Sequence, residues 1–458
     1  MVDLTPRWVH LIGIGGAGMS GLARILLELG WRVSGSDLKL SPVTDRLVSL
    51  GATVFRGHAA EHVGSCDLVV VSSAIKPDNP ELAAARARGI PVRHRGEMLA
   101  ELMRLRKGIA VAGAHGKTTT TAMLALVLTA NGYDPTVLVG GEVPALGGNA
   151  RLGRGEYMVA EADESDGSFL LLNPHVAVVT NIENDHLDYY QNLANIVEAF
   201  GRFVQGVNPD GAVVLCADDA NVRKILPGIR ARTVTFGLVT CDADYTLREW
   251  SLNGAGATGE VFYRGRSLGT VRLSVPGRHN LANALAVIAV GRLLGLELPA
   301  MAGPLADFRG AGRRFQLLGE VRGVRVVDDY AHHPTEIRAT LAAARTTGCS
   351  RIICAFQPHR YTRTRLLAEE FGPAFSDADV VVISDVYGAG EPPIEGVTGE
   401  LIAGSVRRFK PNVVYLPRLE DVSSYLAGIA QPGDLIITMG AGNIWEAGVV
   451  LVRQLEAR

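Results

Sequence analysis

The sequence predicts an α/β protein with three domains. Segments typical of buried strands alternate with helix-like segments from one end of the chain to the other, a pattern that implies parallel strands joined by crossover helices. With 458 residues, the chain is long enough for about three domains of ordinary size. A polar stretch at 103–108 and a glycine-rich, basic stretch at 308–316 interrupt the alternation. We therefore expect domains at 1–106, 107–313 and 314–458.

Composition and charge narrow the class of partner. Hydrophobic residues make up 47% of the chain and charged residues 20%, which is typical of a globular protein with large cores. The formal net charge is −2, and the chain has no long run of Lys or Arg. We therefore expect a small-molecule partner and neither a nucleic acid nor an anionic membrane.

The cysteines and the N-terminus bear on the cellular compartment. The five cysteines are scattered and form no CxxC pair, which argues against a disulfide framework and a zinc site and suits a reducing compartment. The N-terminus leads into a strand without the features of a signal peptide, and no apolar run has the length of a membrane span. We expect a cytoplasmic protein without membrane insertion.

A glycine-rich turn follows the first predicted strand. The stretch WVHLIGIG reads as a buried strand, MSGLARILLELG as a helix and WRVSGSD as the next strand. The turn contains Gly13, Gly15, Gly16 and Gly18, and Asp37 ends the second strand. Such a turn lets a diphosphate approach the helix N-terminus, while the acid accepts hydrogen bonds from ribose hydroxyls. The pattern predicts a dinucleotide-like ligand and fits NAD and a UDP-sugar equally well.

A second strand-to-helix turn, GIAVAGAHGKTTTT at 108–121, opens the next domain. Backbone N–H groups at Gly113 and Gly116 and the helix N-terminus would face an anion, to which Lys117 adds a cation. The hydroxyl of Thr118 is placed to ligate Mg²⁺. The loop is shorter than the standard P-loop, since Val111 occupies the position of its first glycine. The stretch predicts binding of a nucleoside triphosphate.

Two further strand ends offer ligands for the metal ion. Glu161 lies in VAEADESDGS, and Asn181, Asp185 and His186 lie in VVTNIENDHLD. In an open parallel sheet, ligands collect at the carboxyl ends of the strands, where Thr118 would also lie. Mg²⁺ prefers oxygen ligands, so this reasoning favours Glu161 and leaves the role of the histidine open.

The last domain contains two polar turns after predicted strands. These are VVDDYAHHPTEI, with Asp328, Asp329, Tyr330, His332 and His333, and FQPHRYTRTR, with His359, Arg360, Arg363 and Arg365. Arginine side chains at a strand end suit carboxylate or phosphate recognition through paired N–H donors. The alternative is a solvated basic face, but three arginines so close to the end of a buried strand favour a functional cluster.

Taken together, the motifs resemble the Mur ligase family. The resemblance covers essentially the whole chain and rests on nine stretches in the order typical of the family: GIGGAGMSG, GAHGKTTTT, EADESDGSF, TNIENDHLD, PGRHNLANA, GAGRRF, DDYAHHP, FQPHRYTRT and GAGNIW. One departure is Ala114, where relatives usually have threonine.

The resemblance implies a fold and a set of site residues. The fold would have an N-terminal Rossmann-like UDP-binding domain, a central P-loop ATPase-like domain and a C-terminal Rossmann-like domain that binds the amino acid. By this resemblance the UDP-sugar is bound by Gly13, Gly15, Gly16, Gly18 and Asp37; ATP by Gly113, Ala114, His115, Gly116, Lys117, Thr118, Thr119, Asn280, Arg314 and Asp329 (or Asp328); Mg²⁺ by Thr118, Glu161 and His186; and the amino acid by Tyr330, His359, Arg360 and Arg363. The expected catalytic set is Lys117, His186, Arg314, His359 and Arg360.

The resemblance also implies a reaction. A carboxylate attacks the γ-phosphoryl group of ATP, and an amine then displaces phosphate from the acyl phosphate to form an amide. Within the family, the first loop and the HRYTRT stretch are most similar to those of members that join L-alanine to UDP-N-acetylmuramate in peptidoglycan precursor synthesis. We expect a monomer or weak homodimer with these two substrates and ATP.

Other classes account for less of the sequence. A nicotinamide dehydrogenase would explain the first turn and leave the lysine loop without a task. A nucleotide-gated switch would explain the lysine loop, but the chain has no NKxD guanine motif. The murein tripeptide ligase that acts on the same UDP-sugar shares most of the motifs and is the nearest alternative.

Overall fold

The computed structural model describes residues 7–254 and 256–458, and it has the predicted alternation of strands and helices. The described residues form two compact units. The first comprises those up to Arg248 together with Glu260–Gly269 and Ala282–Leu305, and the second comprises those within Glu249–Gly259, Thr270–Leu281 and Ala306–Arg458. The α/β fold class is confirmed. None of the described helices combines the length and the apolar character that a membrane crossing requires.

The first sheet has five parallel strands. Its elements are β1 Trp8–Ile12, α1 Ala17–Glu28, β2 Arg32–Asp37, α2 Pro42–Ser49, β3 Thr53–Arg56, β4 Leu68–Val71, α3 Pro80–Ala87, β5 Val92–His94 and α4 Arg95–Met103. The strand order is β3-β2-β1-β4-β5, with every pair parallel. Because the chain runs outward in both directions from β1, the strand order reverses between β1 and β4, next to the glycine turn. This arrangement is Rossmann-like.

The second sheet has ten strands. Its elements are β6 Lys107–Ala112, α5 Lys117–Ala130, β7 Thr136–Val143, β8 Gly148–Arg151, β9 Tyr157–Glu161, β10 Val176–Val179, α6 Leu187–Tyr190, α7 Leu193–Gln205, β11 Ala212–Cys216, α8 Ala220–Ile225, β12 Arg232–Gly237, β13 Tyr245–Asn253, β14 Gly256–Tyr263, β15 Arg266–Leu273, α9 Arg278–Leu293 and α10 Leu298–Asp307. The order is β15-β14-β13-β12-β11-β10-β6-β9-β7-β8. Strands β10, β6 and β9 are parallel neighbours, so their carboxyl ends share one edge.

The third sheet has six strands and lies in the second unit. Its elements are β16 Gln316–Val321, β17 Val324–Asp329, α11 Pro334–Arg345, β18 Arg351–Phe356, α12 Tyr361–Leu366, α13 Ala368–Ala374, β19 Val380–Ile383, α14 Gly399–Arg407, β20 Val413–Tyr415, α15 Leu419–Ile429, β21 Asp434–Met439 and α16 Trp445–Glu456. The order is β16-β17-β21-β18-β19-β20, with only β16 antiparallel.

Apolar cores cover both faces of this third sheet. Along β18, Ile352, Cys354 and Phe356 join one buried cluster, while Ile353 and Ala355 join another. Successive strand residues point to opposite faces, so a strand buried on both sides must be apolar throughout. The continuous apolar stretch IICAF has this pattern.

Candidate active site

The first glycine turn is closed by Asp37. The amide of Gly13, at φ 77°, donates to Ser36 O over 2.8 Å, and Gly16 is the N-cap of α1. The amide of Gly15 donates to Asp37 Oδ2 over 2.9 Å. The carboxylate therefore holds the turn in place. A carboxylate has about four acceptor positions, so this bond is compatible with the predicted contact to ribose.

The second turn has the backbone that a phosphate loop needs. Gly113 has φ 137° and Gly116 has φ 83°, a region that L residues rarely adopt. Gly116 is the N-cap of α5, and a Cβ atom there would lie 2.6 Å from Asn283 Oδ1. The N-terminal turn of α5 contains Thr118 and Thr119, both nine-tenths buried. The helix N-terminus and these glycines can thus present backbone donors to an anion.

The end of β10 fastens this loop. Thr180 Oγ1 donates to His115 O over 2.6 Å, and the amide of His115 donates to Asn181 Oδ1 over 2.8 Å. The amide of Ala114 donates to Asn181 O over 3.3 Å. We predicted Asn181 as a member of the metal-binding edge, and its described contacts show that it holds the loop.

Lys117 is held by three acceptors. Its ammonium donates to Gly113 O over 2.5 Å, to Ala114 O over 3.2 Å and to Glu164 Oε1 over 2.8 Å. Burial lowers the pKa of Lys117, but the carboxylates of Glu164 and Asp163 outweigh that effect, so the pKa lies above its usual value. The lysine is therefore charged and aimed by a buried carboxylate. Sequence reasoning missed Glu164, which is 3% exposed.

The predicted metal ligands lie in the same unit. Glu161 ends β9 and pairs in register with Val111 of β6, directly before the lysine loop. His186 has a left-handed backbone (φ 53°), and its Nε2 lies 3.7 Å from Glu164 Oε1. The other oxygen, Glu164 Oε2, is buried and has no hydrogen-bond partner among the described atoms. An unpartnered carboxylate oxygen close to His186, together with predicted ligands that are mostly oxygen donors, fits a hard cation such as Mg²⁺.

In the second unit, two neighbouring acids have different tasks. Asp328 is fully buried and accepts from Arg313 Nε over 2.8 Å and from Thr438 Oγ1 over 2.8 Å. Asp329 accepts from the amides of Phe315 and Ala331, each over 2.8 Å. Burial raises the pKa of Asp329 to about 6, against the opposing effect of Arg314. Asp328 and Asp329 are the two candidates for the predicted ATP contact. Asp328 forms an ion pair with Arg313, whereas Asp329 does not.

Arg314 lies on a strained segment of backbone. Its neighbours Arg313 and Phe315 have φ values of 57° and 52°. The guanidinium of Arg314 lies 3.5 Å from Glu336 Oε1 and 5.1 Å from the centroid of the Tyr330 ring. Together these contacts place a cation beside the predicted amino-acid pocket.

Asn280, the predicted adenine contact, belongs to the first turn of α9. Its side-chain amide donates to Pro276 O over 2.7 Å, and the residue is 7% exposed.

Four rings run along the predicted amino-acid pocket. Tyr330 and His332 have centroids 5.5 Å apart, His332 and His359 5.6 Å, and His359 and Tyr387 5.9 Å with nearly parallel planes. Arg363 Nη1 lies 3.2 Å from His359 Nδ1. The structure thus brings Tyr330, His359 and Arg363 into one cluster, with His332 between the first two.

Three residues that contact this cluster were not assigned to the predicted amino-acid pocket: His332, Tyr387 and Glu391. Arg360 Nη1 lies 3.9 Å from Glu391 Oε1, and the backbone amide of Arg360 donates to Tyr387 O. The signal for Tyr387 was present in the sequence, because DVY comes just after the buried strand β19, and the similar DDY stands at the carboxyl end of β17.

A Rossmann-type glycine turn and a lysine-bearing loop at a helix N-terminus in one unit, with a cluster of histidine and arginine side chains in the other, are typical of a nucleotide-dependent enzyme with several α/β domains. The chain belongs to the Mur ligase family. Three family models match it: the Mur ligase family catalytic domain over 8–107, the Mur ligase middle domain over 111–291 and the Mur ligase glutamate ligase domain over 313–442. It is therefore an ATP-dependent enzyme that forms amide bonds.

Similar proteins cover nearly the whole chain. A UDP-N-acetylmuramate–L-alanine ligase of Pelotomaculum thermopropionicum is 57% identical over 98% of both chains, and the protein of that name from Geotalea uraniireducens is 51% identical over 98% of both. The crystal structure of a UDP-N-acetylmuramate–alanine ligase from Thermotoga maritima matches with a TM-score of 0.86 at 33% identity, covering 98% of this chain and 99% of that one. A murein peptide ligase from Psychrobacter arcticus matches with 0.75 at 26%, covering 98% of each.

Replacing Glu164 with glutamine tests the buried ion pair. We expect Glu164→Gln to lower the free energy of unfolding by about 1.5–3 kcal/mol, because the Lys117 ammonium loses its charged acceptor while the side-chain shape is kept. Urea denaturation measures the change. The matched control is Glu156→Gln, which removes the exposed partner of Lys107 and should leave stability unchanged. Equal effects in both variants would contradict the role given to Glu164.

The raised pKa of Asp329 predicts a pH dependence. Because its folded-state pKa of about 6 exceeds its ordinary value of 3.8, the contribution of Asp329 to stability is greatest below pH 4 and declines as the pH rises through 6. We expect Asp329→Asn to remove this decline, which amounts to at most about 3 kcal/mol at about 1.4 kcal/mol per pKa unit. Urea denaturation at pH 4.5 and 7 gives the comparison. An unchanged difference between the two pH values would show that this carboxyl does not titrate there.

Proposed function

We propose that the protein joins L-alanine to the lactyl carboxylate of UDP-N-acetylmuramate, consumes ATP and thereby serves peptidoglycan precursor synthesis. The observation that carries the proposal is the 57% identity over 98% of both chains with a protein of that name. The lysine loop after β6 and the glycine turn after β1, each at the start of a helix, support the proposal, because they would form the two nucleotide sites that the reaction needs.

The chemistry explains why ATP is consumed. A carboxylate does not condense with an amine in water, because hydroxide is a poor leaving group. The lactyl carboxylate attacks the γ-phosphorus, ADP leaves, and the acyl phosphate then reacts with the free amine of L-alanine, with phosphate as the leaving group. Catalysis of phosphoryl transfer rests mostly on positioning and charge. The charged, oriented Lys117 suits that task, and Arg314 is the second cation that we assign to it.

We assign the remaining site residues by the same reasoning. Glu161, His186 and Thr118 would hold Mg²⁺, which neutralises phosphate charge when bound. Asn280 and Asp329 would contact the adenosine of ATP. The ring-lined pocket of Tyr330, His359, Arg360 and Arg363 would receive the amino acid, with arginine donors for its carboxylate. Residues 1–106, 107–313 and 314–458 would be the UDP-sugar, ATP and amino-acid domains of a cytoplasmic enzyme that is a monomer or a weak homodimer.

The second candidate is a murein peptide ligase, which attaches a whole peptide to the same sugar nucleotide. The structural match to the Psychrobacter arcticus protein supports this candidate. It is weaker than the match to the Thermotoga maritima alanine ligase both in TM-score, 0.75 against 0.86, and in identity, 26% against 33%. We therefore place it second.

Phosphate release with each of the twenty amino acids tests the substrate. With UDP-N-acetylmuramate and ATP, we expect L-alanine to give the highest kcat/KM. Glycine should lie behind it by about 10-fold or more, because one methyl group is worth about 1–3 kcal/mol. L-serine should also lie behind it, because its additional hydroxyl group must be accommodated. A tripeptide such as L-alanyl-γ-D-glutamyl-meso-diaminopimelate serves as the competing substrate. Faster release with the tripeptide than with L-alanine would assign the second function.

Replacing Lys117 with alanine tests the ATP site. We expect Lys117→Ala to lower kcat by about 10²–10³, by analogy with the loss of one electrostatic donor at other active sites. ADP formation in a coupled assay measures it. The matched control is Lys224→Ala, which removes an exposed lysine bonded to Asn221 and should retain full activity. Turnover at the unsubstituted rate in Lys117→Ala would remove the lysine from the mechanism.

A further inference from the structure

Arg95 lies directly on the first glycine turn. It is the first residue of α4, and its side chain is 16% exposed. A Cβ atom built on Gly18 would lie 2.9 Å from Arg95 Nη1 and 3.0 Å from Arg95 Cδ. The guanidinium therefore fills the space that the missing side chain of Gly18 leaves open. Neither the motifs nor the reaction assigns this arginine a task.

The other edge of the same guanidinium contacts the acidic segment that follows β9. Arg95 Nη2 donates to Asp163 Oδ2 over 2.9 Å, and Asp166 Oδ2 lies 3.8 Å away. The helix packs tightly there, because Ser168 occupies the space where a Cβ atom on Gly96 would lie. The contact between Arg95 and Asp163 thus joins the domain of the first sheet to the segment after β9 of the second sheet, within one compact unit.

The residue after Asp163 completes a connection to the ATP loop. Glu164 accepts from the Lys117 ammonium over 2.8 Å, and that ammonium also bonds the loop carbonyl of Gly113. A continuous series of contacts therefore runs from Gly18 through Arg95, Asp163 and Glu164 to Lys117.

We propose that Arg95 is a positioning residue that couples the sugar-nucleotide turn to the ATP loop. A diphosphate seated on the glycine turn lies beside the Arg95 guanidinium. A shift of that guanidinium moves Asp163, and with it the next residue, Glu164, which orients Lys117. Each nucleotide then tightens the binding of the other, since coupling between two sites is reciprocal. This inference rests on the proposed function for the identity of the two nucleotides.

The experiment measures binding without turnover. Calorimetry gives the affinity for UDP-N-acetylmuramate with and without a saturating non-hydrolysable ATP analogue and Mg²⁺, in the absence of an amino acid. We expect the analogue to tighten binding by about fivefold or more, the lower end of typical coupling. Arg95→Lys keeps the charge but loses the two-edged contact, and Asp163→Asn breaks the pair from the other side. In each variant, the affinities with and without the analogue should be about equal. The double variant should show no further loss of coupling.

The matched control is Arg93→Lys. Arg93 lies two residues before Arg95 and pairs with Glu101 within the first domain, so its substitution should keep the unsubstituted ratio. Melting temperatures show whether each variant folds. If Arg95→Lys does not fold, the coupling ratio of Asp163→Asn tests the proposal. A ratio of one in the unsubstituted protein, or an unchanged ratio in the folded variant, would overturn the proposal.

The two proposals fail in different ways. If the unsubstituted protein releases no phosphate with L-alanine, but the ATP analogue tightens its binding of the sugar nucleotide and Arg95→Lys abolishes that effect, the proposed function is wrong and the coupling stands. If it turns over normally and Arg95→Lys retains the full coupling ratio, the proposed function stands and the role of Arg95 is wrong.

Discussion

The parallel pairing of β10, β6 and β9 is the constraint on which the candidate site depends. Because the three strands run side by side in the same direction, the segments after them must meet at one edge. The lysine loop follows the central strand, the loop-fastening residues follow one neighbour and the acidic segment follows the other. A change of strand order would separate these segments without altering any of their motifs.

The sequence predicted those elements whose chemistry is local. The glycine turn, the lysine loop and the strand-end acids could be recognised because each is a contiguous pattern with a physical reason for its spacing. Glu164 and Arg95 could not, since their roles depend on which segments the sheet order brings together. Glu161 and Glu164 look alike in EADES, and the structure shows that Glu164 accepts a hydrogen bond from the Lys117 ammonium. Tertiary contact distinguishes them.

Ion pairs in the first unit orient side chains as much as they stabilise the fold. A buried ion pair gains little net free energy, because removing two charges from water costs nearly as much as their attraction returns. The main effect of the pair is to fix the position of the lysine side chain. Lys117 is held at a defined place by one carboxylate and two carbonyl oxygens. In the proposed mechanism, this orientation reduces the reorganisation needed when charge develops on a phosphate.

The second unit fixes an arginine by a different means. A left-handed backbone costs an ordinary residue roughly 1 kcal/mol or more, yet Arg313 and Phe315 adopt it on either side of Arg314. Neighbouring contacts hold both: Arg313 bonds Asp328 and the carbonyls of the turn after β21, and the amide of Phe315 bonds Asp329. The adjacent acids of β17 point to opposite faces of the strand, so each secures one side of the segment. The strain is thus confined to the flanks, and Arg314 projects toward Tyr330 and Glu336 from a backbone that two carboxylates define.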